Sequence, residues 1–263
     1  MARHAHALIV ADGDVDVVVL TELAAGVPRA GLAAVPGERP QAIEPVERPG
    51  TIEPGERPWV IAADGGAARC LAAGVRPDIV VGDFDSLPFE ALARLRELGV
   101  EVRTASPDKD ESDMELCLLV ALEQAVTRVT ILGALGLVRP EHSFANLLLL
   151  ADPRFDDLDT AIVGHGSRTW RIGTSDGPGE ARLKGGPGDH VSLLPLDARV
   201  EGVRTDGLRF GLHDESLPLG PSRGLSNELL GDGAHVTTRR GRLLVVHTDR
   251  QAESGLPTSH RED

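Results

Sequence analysis

Between Trp59 and Leu150, short apolar runs alternate with stretches of helical period, and that alternation leaves few folds open. Trp59–Ala63, Ile79–Val81, Val100–Arg103 and Val129–Leu132 read as strands. Gly65–Gly74, Pro88–Leu98, Ser112–Ala125 and His142–Leu150 read as helices. Strand then helix, repeated, predicts a parallel sheet in an α/β domain, because parallel neighbours need a crossover and a helix is the usual one. His6–Ala11 adds a buried strand ahead of this run, while Val15–Gly26 fits either a helix or a strand. Ser112 followed by Glu115 has the spacing of a capping box.

From about Thr160 the helical period disappears. Ala161–Val163, Thr169–Ile172, His190–Leu194, His235–Thr238 and Leu243–His247 are short apolar runs divided by glycine, proline and aspartate. That pattern predicts an all-β domain, a small sandwich or barrel. The expected organisation is an α/β domain over residues 1–158, a β-sandwich domain over 159–249, and a polar tail over 250–263. Within the first domain lies PGERP at Pro36–Pro40, PVERP at Pro45–Pro49 and PGERP at Pro54–Pro58. Seven of the chain's 18 prolines fall between Pro28 and Pro58, too many for a segment that buries a core. Residues 28–58 therefore read as a solvated insertion.

The net charge of −14 argues against a nucleic-acid partner, which would call for a basic patch or stripe. Met1–Ala11 lacks the apolar core of a secretory signal, and no apolar run approaches the ~18 residues of a membrane span. Cys70 and Cys117 sit in helix-like stretches and read as buried free thiols, which suits a reducing compartment. The expectation is a cytoplasmic protein with no membrane partner.

Two acidic clusters stand at the ends of predicted strands: VVGDFDSL at Val80–Leu87 and SPDKDESD at Ser106–Asp113. Asp83 and Asp85 are two residues apart, and Asp110 and Asp113 three. Like charges at that range need a compensating partner. Magnesium with a nucleotide polyphosphate fits, since that cation takes one or two carboxylates and completes its shell with phosphate and water. Ligands in open α/β sheets bind outside the carboxyl ends of the strands. Asp64, Gly65 and Gly66 follow a strand and open a helix, so their N–H groups can face phosphate, although a tight turn alone would also call for glycine. Asp113 at a helix start is open to simple capping. Capping does not explain why Asp108, Lys109 and Asp110 crowd one turn, whereas a metal beside an ammonium does. Lys109 is then a point charge for a phosphate. In the loop Gly133–His142, Arg139 suits phosphate oxygens and Glu141 suits the metal or the nucleophile. His142 and Asn146 share a helix face. Asp83-Phe84-Asp85 also fits a phosphatase with an aspartyl nucleophile, which would need a later lysine at a strand end of the same domain. The lysine after Lys109 is Lys184, in the β-rich half.

These strings resemble the thiamine pyrophosphokinase (thiamin diphosphokinase) family. The resemblance is carried by AADGGAARCLAAGVRPDIVVGDFDSL, PDKDESDMEL and GALG…RPEHSFANL, then by KGGPGDHVSLLPL, EGVRTDGLRFGL and SRGLSNELLG. It spans roughly Ala62 to Val246 and leaves out the proline-rich insertion. It implies an α/β nucleotide-binding domain followed by a β-sandwich, in a homodimer with active sites between subunits. The implied reaction moves pyrophosphate from ATP to the hydroxyl of thiamine, giving thiamine diphosphate and AMP. Asp83, Asp85, Asp110 and Asp113 match the acidic motifs that would hold Mg2+, with Glu141 beside them in a catalytic role. Asp64, Gly65, Gly66, Ser86, Lys109, Arg139 and His142 fall on the ATP side, and Ser226 and Asn227 match the thiamine-pocket motif. The family's Gly-Arg-x-Asp-His stretch is departed from: this chain is one residue longer there and has Glu141 for the aspartate. The alternatives are a non-catalytic or altered nucleotide- or thiamine-binding homologue, or a diphosphokinase for another hydroxymethyl heterocycle.

Overall fold

The structure, a computed structural model, describes residues 5–27, 57–85, 87–136, 138–164 and 166–250. Residues 28–56 of the proline-rich insertion expected over 28–58, Ser86 and the tail beyond Arg250 lie outside the described residues. Two compact units divide the chain after Gly164.

The first unit holds β1 (His6–Val10), β2 (Trp59–Ala63), β3 (Ile79–Gly82), β4 (Glu101–Thr104), β5 (Arg128–Leu132) and β6 (Asp159–Gly164). All pair in parallel, in the order β4-β3-β2-β1-β5-β6. Every residue of β1 is buried, as expected of a central parallel strand covered on both faces. The helices are α1 (Val17–Ala24), α2 (Gly66–Ala72), α3 (Phe89–Glu97), α4 (Asp113–Glu123) and α5 (Pro140–Leu149). The ambiguous stretch after β1 is thus helical, and Asp16 caps it by accepting from the N–H groups of Val18 and Val19. Leu8, Val10, Leu20, Val60, Ala62, Val80 and Leu95 belong to one buried cluster in this unit. The chain runs outward from β1 to β4 and returns on the other side with β5. The strand order reverses beside β1, the place where such sheets bind ligands.

One boundary differs from expectation. Asp159–Gly164 reads as the start of the β-rich half, yet it pairs in parallel with β5, from Arg128 opposite Asp159 to Leu132 opposite Val163. The run is as apolar as β5, and nothing in its own composition distinguishes a last parallel strand from a first antiparallel one.

The second unit is antiparallel throughout. One sheet has the order β12-β9-β14-β7, from Asn227–Glu228, His190–Pro195, Leu243–Thr248 and Ser167–Ile172. The other has the order β11-β10-β13-β8, from His213–Pro218, Arg199–Asp206, Gly233–Thr238 and Gly179–Lys184. Alternate residues of β9 are buried, the signature of a strand with one face on a core. The chain is therefore an α/β parallel-sheet unit followed by an antiparallel β sandwich, as its sequence pattern predicts. Among the described residues no helix is long and apolar enough to cross a membrane.

Candidate active site

The carboxyl ends of β2 and β3 lie side by side, and each delivers acid side chains to one place. The N–H of Asp64, just past β2, donates to the carbonyl of Val81 at 2.9 Å, so the loop after β2 is fastened to β3. Asp64 and Phe84 both adopt the left-handed conformation, with φ of 38° and 64°. Non-glycine residues are held there only where surrounding structure compels it, often at functional sites. At Phe84 the fold-back brings the N–H of Asp85 to 3.3 Å from Asp83 Oδ1. Gly82 makes the approach possible: a Cβ on it would stand 2.9 Å from the Cβ of Asp64. Gly66 does the same on the other side, where a Cβ would fall 2.0 Å from the carbonyl oxygen of Val10.

The outcome is a group of three carboxylates, Asp64, Asp83 and Asp85, whose ligand oxygens lie within 4.8 Å of one another. Asp64 is buried, Asp83 half-buried and Asp85 exposed. Three hard oxygen donors at that range, open to solvent on one side, fit a magnesium ion that keeps part of its shell for phosphate and water.

Lys109 arrives from the turn before α4, where Ser106 accepts from the N–H groups of Asp108 and Lys109. Its ammonium lies 2.9 Å from Asp113 Oδ1 and 3.6 Å from Asp83 Oδ2. Burial works against the charge, but the hydrogen bond and attraction to Asp113, then to Asp83, outweigh it and raise the lysine's pKa. Asp113 is the first residue of α4, behind an N-cap in which Ser112 Oγ accepts from the N–H of Glu115 at 3.2 Å. Glu115 does not complete the expected capping box and instead meets Arg154 Nη2 at 2.6 Å. Asp110 is exposed and makes no ion pair among the described residues.

The sequence-derived cluster of Asp83, Asp85, Asp110 and Asp113 is thus arranged differently in space. Asp83 and Asp85 come together with Asp64, which reads from sequence as a nucleotide-loop residue. Asp113 joins through Lys109. The signal that could have identified Asp64 is the adjacency of the two strands that carry it and Asp83.

The fourth loop runs from Gly133 to α5. Ser143 Oγ donates to the carbonyl of Gly136 and accepts its N–H, each at 2.8 Å, and Asn146 Nδ2 donates to the carbonyl of Ala134 at 2.8 Å. Asn146 therefore holds the loop rather than facing a ligand. Arg139, Glu141 and His142 are exposed at the start of the helix, which begins two residues before the expected His142 because Pro140 fits its first turn. Arg139 Nε lies 2.8 Å from Glu141 Oε1, and His142 Nε2 lies 3.9 Å from the same oxygen. The Arg139 hydrogen bond holds the Glu141 carboxyl below its ordinary range. Glu141 is not one of the three clustered carboxylates.

In the second unit Asn227 is buried, and its amide is committed to the backbone of Phe210. Oδ1 accepts from Phe210 N–H at 2.9 Å and Nδ2 donates to Phe210 O at 2.8 Å. Oδ1 also accepts from Glu228 N–H at 3.0 Å. Ser226 is exposed in the left-handed conformation, with φ of 57°. What Asn227 presents outward is the Phe210 ring, 52% exposed, with the Arg209 guanidinium 5.3 Å from its centre. Cys70 and Cys117 are free and buried as expected, and burial pushes the Cys70 thiol up to about 12 and the Cys117 thiol higher still, which favours the protonated, unreactive form.

Comparison with known proteins covers both units. Residues 55–162 match the family described as thiamin pyrophosphokinase, catalytic domain, and residues 180–243 match thiamin pyrophosphokinase, vitamin B1 binding domain. The thiamine pyrophosphokinase of Bacillus subtilis is 23% identical over 189 residues, covering 72% of this chain and 86% of that protein. Thiamine pyrophosphokinase 1 of Arabidopsis thaliana is 28% identical over 193 residues, covering 64% of this chain and 69% of that protein. Among solved structures, that of the Bacillus subtilis thiamine pyrophosphokinase superposes with a TM-score of 0.71 at 20% identity, over 93% of this chain and 99% of the other. A thiamin pyrophosphokinase family protein of Enterococcus faecalis gives 0.69 at 24% identity, over the same shares. With both parts matched in chain order and the acidic site inside the catalytic match, the chain belongs to the thiamin pyrophosphokinase family.

Proposed function

We propose that this chain is a thiamine diphosphokinase, moving a pyrophosphoryl group from Mg-ATP to the hydroxyl of thiamine and releasing AMP. The observation that carries this reading is the gathering of Asp64, Asp83 and Asp85 at neighbouring strand ends with Lys109 beside them, inside the residues matched by the catalytic domain. Magnesium held by these carboxylates would neutralise polyphosphate charge and favour attack at phosphorus. The thiamine hydroxyl oxygen bonds to the β-phosphorus, the bond from that phosphorus to the α,β-bridging oxygen breaks, and AMP leaves with the electron pair. The hydroxyl proton passes to a carboxylate, Asp110 or Asp113; the pairing of Asp113 with Lys109 favours Asp110 as the acceptor. Lys109 and Arg139 supply positive charge to the phosphates, with Gly65, Gly66 and His142 lining the nucleotide side and Glu141 steering Arg139.

For thiamine, Phe210 is the one aromatic residue between 180 and 243, the span matched by the vitamin B1 binding domain. An exposed ring clamped by its backbone suits stacking against an aromatic heterocycle. Asn227 is then a positioning residue, and Ser226, exposed beside it in the chain, is a candidate contact for thiamine. The resemblance further supports a homodimer, and two free buried thiols suit the reducing environment of the cytoplasm.

The test is direct. Protein incubated with thiamine and Mg-ATP should form thiamine diphosphate and AMP in equal amounts, and Asp83→Asn should lower turnover by at least about 100-fold with the circular dichroism spectrum preserved. ADP or free phosphate as the sole nucleotide-derived product would refute the assignment.

A further inference from the structure

We propose that Lys109 is an internal counter-ion that competes with the divalent cation for Asp83 and is drawn off by the nucleotide's phosphates, so that cation and nucleotide bind cooperatively. This rests on the reading of Asp64, Asp83 and Asp85 as the cation site.

The geometry separates two partners of unequal strength. Lys109 Nζ is within hydrogen-bond distance of Asp113 Oδ1, at 2.9 Å, but stands 3.6 Å from Asp83 Oδ2. Asp113 is thus the anchor and Asp83 the looser contact. The other oxygen of Asp83 already accepts from the N–H of Asp85, so Oδ2 is the oxygen turned to the ammonium. A cation bound through Asp83 therefore meets a like charge at its edge, and the lysine side chain, 14% exposed, has little water to screen it. The polyphosphate supplies what a bare cation lacks, a second anion for the ammonium. A lysine's flexible four-carbon stem allows the exchange while Asp113 keeps the residue in the site. Coupling of this kind is reciprocal: whatever the nucleotide adds to cation affinity, the cation adds to nucleotide affinity.

Manganese is a spectroscopic stand-in for magnesium, and α,β-methylene-ATP occupies the site without being cleaved. Mn2+ titrated into the full chain should bind weakly alone and about tenfold more tightly with the analogue present. Lys109→Met should bind Mn2+ about tenfold more tightly than wild type without nucleotide, and should gain less than wild type when the analogue is added. Lys109→Arg, which keeps the charge, should stay weak without nucleotide. If Lys109→Met does not fold, Lys109→Gln gives the same reading. A neutral variant that binds Mn2+ no more tightly than wild type, or gains as much from the analogue, overturns the proposal. Asp83→Asn distinguishes that failure from failure of the site itself. Loss of Mn2+ binding in this variant leaves the cation site standing, whereas an unchanged titration removes both.

Discussion

The absence of one methyl group at Gly82 decides how closely two carboxylate-bearing strands can approach. Gly82 ends β3 with the side chain of Asp64 against it, and a Cβ there would stand 2.9 Å from the Asp64 Cβ, inside any real contact. Because the obstacle is the root of a side chain rather than a flexible tip, Gly82→Ala must push the loop after β2 away from β3. Overpacking of this sort costs about 1–3 kcal/mol. The larger effect should fall on function, since a displacement of about 1 Å at a reacting site can cost about 100-fold in rate. Gly82→Ala is expected to remain folded, with a modestly lowered Tm, while Mn2+ affinity and thiamine diphosphate formation fall together. Normal turnover in a folded variant would mean that the spacing of Asp64 and Asp83 is not what the site depends on.

Among the elements, α4 has the clearest link between local sequence and site. Ser112 receives the N–H of Glu115, and the helix then begins on Asp113, the anchor of Lys109. Removing the cap with Ser112→Ala should cost about 1 kcal/mol, or about 2–4 °C in Tm, and should loosen the first turn that holds Asp113. A thermal melt reads the first effect; a higher KM for Mg-ATP reads the second. The start of α4 is legible in sequence because the capping signal is local, whereas its other half is not: Glu115 turns to Arg154, 39 residues away. The same division runs through the whole fold. Strands with continuous apolar runs, such as β1 and β5, are evident from composition. β8, β10 and β11 escape such a reading, because GEARLK, RVEGVRTD and HDESLP expose at least as many charged side chains as they bury apolar ones. β6 is visible as a strand, but its partner is not, since parallel pairing with β5 is decided by tertiary neighbours. In the site, Asp83, Asp85, Asp113 and Lys109 announce themselves by crowding along the chain. Asp64 joins them only through the β2–β3 pairing, and Asn227, 17 positions along the chain from Phe210, is seen as its clamp only once the intervening chain is folded.

At the scale of the whole molecule, 41 acidic side chains against 27 basic ones make the response to acid a contest of two effects. Protonation relieves self-repulsion and favours the compact state, yet it also removes carboxylates that the fold uses. Asp189 is the clearest of the second kind. It precedes β9, and its carboxylate receives the N–H of Gly186 at 2.9 Å, the N–H of Arg250 at 3.2 Å and His247 Nε2 at 3.1 Å, so it ties the start of β9 to the end of β14. Burial acts to raise its pKa, but the two backbone donors and the histidine outweigh burial and hold it below the ordinary value of 3.8. A carboxyl depressed on folding contributes in full above its unfolded pKa and loses that contribution as pH falls through the folded one. Above about 3.8 the contribution is whole; below it, the contribution drains away. Asp189→Asn should therefore unfold at lower denaturant than wild type at pH 6, with the gap narrowing as pH drops below about 3.8. Taking the difference between the two proteins cancels the other acids, which titrate alike in both. Urea unfolding at a series of pH values measures it. A gap that stays constant into acid would assign the role of Asp189 to its shape and not to its charge.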